Sequence, residues 1–230
     1  METSKIEVIR RYAKYIFLDV VLFSNRSAEA QSDIVTQLNG IVRQSLEKHG
    51  VNSDDCILIP TGDGMCIAII SLNIQYDIHI QISLSILALL NAYNKAKPDK
   101  SRQFQVRIGI NQNTDILVTD INERKNIAGA GINMASRIMD KADWGQILVS
   151  QTVYDELQPS EAYMDKFKPF NALAKHNLNF RVYQYTADGY PGLNCEIPNE
   201  FVKKEVSEDK LSKIVAYYLA HAIRQKQFIT

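Results

Sequence analysis

Two carboxylates and a distant Asn–Arg pair carry most of the chemical information in this chain. Asp19 lies in an apolar run, Tyr15-Ile-Phe-Leu-Asp19-Val-Val-Leu-Phe-Ser24, and Asp63 lies in Thr61-Gly62-Asp63-Gly64 between two apolar runs. An aspartate beside glycine, taken alone, is a turn former. Asp19 resists that reading, because a carboxylate at the end of a buried strand is costly unless paired or bound to a metal. No His or Cys accompanies the pair at ligand spacing. The donors are therefore hard oxygens, suited to Mg²⁺ or Mn²⁺. Two such ions about 4 Å apart are the usual arrangement for displacement at phosphorus.

Asn133 and Arg137 stand four residues apart in Ile132-Asn-Met-Ala-Ser-Arg137. That spacing stacks them on one helix face. An isolated pair of this kind is an ordinary solvated face. The preceding Ala128-Gly-Ala-Gly131 changes the reading, since small residues let a ligand or another chain approach the helix start. Beyond Asp19 the chain runs through Phe23 and Ser24 toward a helix N-terminus, whose backbone N–H groups favour a polyphosphate. Together these features imply chemistry on a nucleoside triphosphate, with the Asn–Arg face gripping ribose and phosphate.

The elements that must position these residues follow from periodicity. Residues 3–14 read as a short amphipathic helix with Ile6 and Ile9 on one side, and residues 15–23 as a buried strand. Ser24 to Ser27 form a polar break that caps a helix carrying Ile34, Leu38 and Ile41, ending at Gly50. Cys56–Ile59 and Met65–Ile70 make a hairpin with Asp63 at its tip. Residues 74–94 fit both periods, and length decides for helix. Phe104–Ile110 is a strand that continues β-like at Ile116–Val118, followed by a Gly-containing loop over residues 122–131. A helix from about Ile132 to Ala142, a strand at Gln146–Val149, a short helix at Val153–Leu157 and closing strands at 163–170 and 179–186 complete the core. The order is that of an α+β protein with helices packed on a sheet. Gly189–Pro198 reads as a linker, and residues 199–226 as a charged helix.

Lysine plus arginine equals aspartate plus glutamate, at 26 each, so bulk attraction to nucleic acid is not indicated. The longest apolar stretch, Ile78 to Leu90, is interrupted by His79, Gln81, Ser83 and Ser85 and is not a membrane span. The N-terminus is charged rather than apolar, so no signal peptide is expected. Cys56, Cys66 and Cys195 are odd in number and form no CxxC, which predicts free thiols and a cytoplasmic protein.

Four segments in order resemble the class III nucleotidyl cyclase catalytic domain, the adenylate/guanylate cyclase fold. Phe17-Leu-Asp19-Val-Val-Leu-Phe-Ser24 is similar to its first metal motif and Thr61-Gly-Asp63 to its second. Arg107-Ile-Gly-Ile110 resembles its central R-x-G-I strand, and Ile132-Asn-Met-Ala-Ser-Arg137 its V-N-x-A-S-R helix. The resemblance spans residues 15–186. It implies a ferredoxin-like βαββαβ core with a mainly antiparallel sheet. The organisation expected is an N-terminal helix (1–14), a catalytic domain (15–188) and a linker with C-terminal helix (189–230).

The resemblance also implies a head-to-tail homodimer with active sites at the interface. Asp19 and Asp63 of one chain would hold two Mg²⁺ or Mn²⁺ ions. Asn133 of the other would orient the ribose, and Arg137 would stabilise charge on the α-phosphoryl group. Phe23, Ser24 and, on a looser alignment, Lys175 would contact phosphate. The base-reading positions fall on Ile59 and Asn126, where neither purine code is present. Asn126 carries a donor and an acceptor, enough to read one pyrimidine edge. Leu22 replaces the Gly of the first motif.

These departures make the chain look similar to the pyrimidine cyclases of Pycsar bacterial antiphage defence, which make cUMP or cCMP for a separate effector. UTP is favoured over CTP. A purine cyclase, a catalytically silent nucleotide- or partner-binding module and a diguanylate cyclase relative stay open as alternatives. The last lacks its expected G-G-D/E-E-F hairpin.

Overall fold

In a computed structural model, residues 8–174 and 178–202 are described. Eight strands form one sheet: β1 (Arg10–Val20), β2 (Cys56–Pro60), β3 (Gly64–Ile69), β4 (Val106–Thr119), β5 (Lys125–Ala128), β6 (Ile147–Ser150), β7 (Phe167–Ala174) and β8 (Leu178–Tyr185). Their spatial order is β2-β3-β1-β4-β6-β8-β7, with β5 paired on β4. Only β4–β6 is parallel, so the sheet is mainly antiparallel as expected. The helices are α1 (Ala28–Lys48), α2 (Ile78–Ala96), α3 (Ala130–Met139) and α4 (Gln151–Leu157).

Strand alternation divides the core in two. Ile16, Leu18 and Val20 of β1 and Ile108 and Ile110 of β4 join the main cluster with α1 and α2. Ala13 and Tyr15 of β1 face the other way, with Ile57, Ile127 and Ala135 of α3. Helix α2 is buried nearly all round in its first half, from Ile78 to Leu87. That removes the polar stripe that separates a helical pattern from an alternating one. Ser27 caps α1 by accepting from the Ala30 N–H, and Gly50 takes the left-handed conformation (φ 69°) just beyond its end.

Three expectations are corrected. Where the amphipathic helix was expected over 3–14, residues 10–14 are the start of β1, because β4 is one 14-residue strand whose far half needs a partner: Arg10 pairs with Ile116. Residues 1–7 lie outside the described residues. The Gly-containing loop over 122–131 holds β5, with Asn126 opposite Val118. The expected linker over 189–198 belongs up to Cys195 to the first of two compact units, with Asn194 buried in it. Asn194 donates from its backbone N–H to the Gly145 carbonyl at 2.9 Å. Of the helix expected over 199–226, residues 199–202 are helical and the rest lie outside the described residues. Cys56, Cys66 and Cys195 are free thiols, and no described helix is long and apolar enough to cross a membrane.

Candidate active site

The register of β1 and β3 brings the two aspartates together. Asp19 is paired with Gly64, and the Val20 N–H donates to the Asp63 carbonyl at 3.1 Å. Gly62, at φ 97°, lets the hairpin turn back within three residues of Pro60. Burial pushes the Asp19 carboxyl above the usual carboxylate range; Arg107 pulls it down and the adjacent Asp63 pushes it up again.

Arg107 stands directly opposite Asp19 in the β1–β4 register. Its Nε and Nη2 donate to the same oxygen, Asp19 Oδ2, at 3.1 and 2.9 Å. The same Nη2 also lies 3.5 Å from Asp140 Oδ1. Sequence reasoning placed Arg107 in a motif and gave it no role at the site. The signal was the cross-strand pairing, which is invisible until the register is known.

Beyond Val20 the chain turns at Leu22, a left-handed residue (φ 57°, ψ 34°), into a one-turn helix over Phe23–Asn25. Phe23 packs against the main core while Ser24 is exposed. Gln31 ties the loop down, its Nε2 donating to the Arg26 carbonyl at 3.0 Å and the Phe23 carbonyl at 3.4 Å.

Helix α3 presses on the sheet through bare backbone. A Cβ on Gly109 would lie 2.2 Å from the Met139 nitrogen. Its buried side carries Ala135, Ile138 and Met139. Asn133 and Arg137 are exposed, and their side chains make no hydrogen bond or ion pair among the described residues. None joins them to Asp19 or Asp63 of the same chain. The small residues before α3 admit the chain's own Asp115, where a ligand or a second chain was expected. A Cβ on Gly131 would lie 2.4 Å from Asp115 Oδ2. That buried carboxylate accepts from the Tyr15 hydroxyl at 2.6 Å, the Gly131 N–H at 2.9 Å and Asn113 Nδ2 at 2.7 Å. A negative charge at the positive end of α3 fixes where Asn133 and Arg137 stand.

Ile59 and Asn126 line one cleft of about 630 Å³, together with Asp120, Arg124 and Lys125. Asn126 Oδ1 accepts from the Ile127 N–H at 2.7 Å. A backbone N–H can only donate, so the oxygen is turned toward it and the amide nitrogen is left for a ligand. Lys175 lies outside the described residues.

Among the described residues no cluster of three or more His, Cys, Asp or Glu side chains forms a complete metal cage. Two carboxylates in contact, one with an oxygen outside the Arg107 fork, still fit Mg²⁺ or Mn²⁺, which are held by one or two carboxylates plus substrate phosphates.

Residues 12–184 match the family model described as the adenylate and guanylate cyclase catalytic domain. No curated protein matches the chain. Among solved structures it is similar to the adenylyl cyclase CyaB from P. aeruginosa, at 18% identity and TM-score 0.62, covering 82% of this chain and 100% of that one. It is similar to the guanylyl cyclase Cya2 at 15% identity and TM-score 0.63, covering 80% and 98%. It also resembles the guanylate cyclase domain of RhGC from Catenaria anguillulae, solved with GTP, at 18% identity and TM-score 0.60, covering 78% and 98%. At these identities the structures speak to the fold.

Proposed function

The chain belongs to the adenylate and guanylate cyclase catalytic-domain family, and on that premise we propose that it converts a pyrimidine nucleoside triphosphate, UTP in preference to CTP, to the 3′,5′-cyclic monophosphate and pyrophosphate. In the reaction the ribose O3′ forms a bond to the α-phosphorus and loses its proton, and the bond from the α-phosphorus to the bridging oxygen breaks. The observation that carries this reading is the convergence of Asp19 and Asp63 with Arg107 beside them.

Asp19 and Asp63 are the residues that would hold Mg²⁺ or Mn²⁺. Bound there, two such ions supply a lowered pKa at the 3′-hydroxyl and neutralisation of the triphosphate. Arg107, within hydrogen-bond reach of Asp19, is placed to meet a phosphate oxygen arriving at that carboxylate. The loop at Phe23 and Ser24 offers backbone N–H groups to the same phosphates. Asn133 and Arg137 are exposed and unpartnered, as suits residues that complete the site of a second chain. In that dimer Asn133 orients the ribose and Arg137 meets charge on the α-phosphoryl group.

Base choice rests on Ile59 and Asn126. Ile59 has no hydrogen-bonding group, which removes both purine-reading side chains from that position. With its oxygen held by Ile127, Asn126 offers a donor. A donor matches the O4 carbonyl of uracil and opposes the N4 amine of cytosine. The guanine O6 is the competing acceptor. By similarity to the Pycsar cyclases, the product serves as a messenger for a separate effector in antiphage defence.

The test is to incubate the purified chain with UTP, CTP, GTP or ATP and Mn²⁺. The expected result is cyclic UMP as the main product. Cyclic AMP from ATP alone would refute the pyrimidine reading.

A further inference from the structure

We propose that the cavity behind the loop following Asp19 is a second small-molecule site, built for a phosphorylated compound with a planar ring and of mononucleotide size. The cavity measures about 430 Å³, within the range of small-ligand sites. Val21 and Leu22 wall one side, and the buried Phe104 contributes another part of its wall. Arg26, Lys100 and Trp144 complete the lining that matters chemically. None of Asp19, Asp63 and Arg107 lines it. The Val21 N–H bonds the Gln105 carbonyl at 2.9 Å, which closes the loop onto the start of β4.

The charge in this cavity is uncompensated. Its described lining contains two cations and no carboxylate. Among the described residues neither Arg26 nor Lys100 makes an ion pair; the nearby Asp33 and Asp99 are both taken by Arg102. Arg26 Nη1 donates to the Ser101 carbonyl at 2.7 Å, which holds the guanidinium in place. Its Nε is buried without a partner among the described residues. An anionic oxygen entering the cavity is the group that would pair the charges of Arg26 and Lys100. Trp144 is 50% exposed and offers a flat face on which a base can stack. Two cations with no ion pair among the described residues and one exposed aromatic around one void describe a phosphate with a ring attached.

Trp144 is the single tryptophan of the chain, so its fluorescence reports on this cavity directly. Wild-type protein is titrated with UMP and with AMP, without metal. A saturable change with at least one of them, competed by inorganic phosphate, is expected. Lys100→Ala, at an exposed position, and Arg26→Gln should each weaken binding at least tenfold. Asp63→Ala should leave it unchanged, which separates this site from the catalytic one. No saturable change with either nucleotide up to about 10 mM, the scale of negligible affinity, overturns the proposal. So does a change that survives Lys100→Ala, or one that disappears in Asp63→Ala.

Discussion

Arg107 closes its fork on one oxygen of Asp19, with Nε at 3.1 Å and Nη2 at 2.9 Å from Oδ2. The side chains are part-exposed, at 28% for Arg107 and 17% for Asp19. The pair is therefore accessible to a substrate and is not a sealed structural bridge. The guanidinium opposes the upward push of burial on the carboxyl, and under the proposed reaction it is the cation that an arriving phosphate would meet.

Replacing Arg107 with alanine should lower kcat/KM about 10²–10³-fold, the scale of losing one charge-stabilising donor. Lysine should restore little, because it cannot reproduce the two-pronged contact. Steady-state kinetics with the preferred triphosphate check both. Activity within about threefold of wild type in Arg107→Ala would remove this residue from the account.

The Asp19–Asp63 contact predicts a pH dependence. Asp19 titrates above the usual carboxylate range, so a proton competes with metal for it up to a higher pH than at an ordinary aspartate. Mn²⁺ affinity should therefore fall as pH drops, beginning above the range of an ordinary aspartate. For stability the sign is the opposite: Asp19 contributes most at low pH and loses that contribution as pH rises through its raised pKa. Asp63→Asn removes one source of that upward push. It should abolish turnover while raising the metal-free Tm at neutral pH by about 1–3 °C. Calorimetric Mn²⁺ titration and thermal melts read the two effects.

His79 is fully buried in α2 and its pKa is pushed down to about 3, first by burial and then by the positive charge of Lys14. The fold holds the neutral ring. Its stability contribution is complete above about pH 6.5, the ordinary histidine value, and is lost progressively as pH falls from there toward 3. His79→Leu should flatten the decline of Tm across that interval. A decline as steep as in wild type would place the acid sensitivity elsewhere.

Leu22 occupies a left-handed conformation with its side chain 68% exposed. That geometry costs a non-glycine residue roughly 1–2 kcal/mol, and glycine returns part of it through greater freedom in the unfolded chain. Leu22→Gly should raise stability by about 0.5–1 kcal/mol, measured by urea unfolding. A loss of stability would show that the exposed leucine has a partner that compensates the strain.

The approach of Asp19 to Asp63 was legible in the sequence because a buried strand and a glycine hairpin leave few ways for two acids to be arranged. The longer reach of β4 was not. Asn111, Gln112 and Asn113 interrupt its apolar alternation, yet Asn111 Nδ2 donates to the Gly131 carbonyl at 2.8 Å and Gln112 Nε2 to the Thr152 carbonyl at 3.0 Å. Buried polar residues that bond to neighbouring elements look like a loop when those elements are unknown. The extension of β1 to Arg10 was hidden for the same reason, since its partner was missing. Ala128-Gly-Ala-Gly131 announced a close approach without saying by what. Asp115, sixteen residues upstream of Gly131, supplies the answer only through tertiary contact.

Exposed Asn133 and Arg137, unbonded to Asp19 and Asp63 of their own chain, make sharing across a dimer the central claim of the proposed function. Asp63→Ala and Arg137→Ala are each expected to be inactive. Mixed in equal amounts under conditions where subunits exchange, half of the dimers pair unlike chains, and each such dimer holds one intact site. Cyclase activity should return to about a quarter of wild type per chain. No recovery, with exchange verified by labelled subunits, would contradict an active site assembled from two chains.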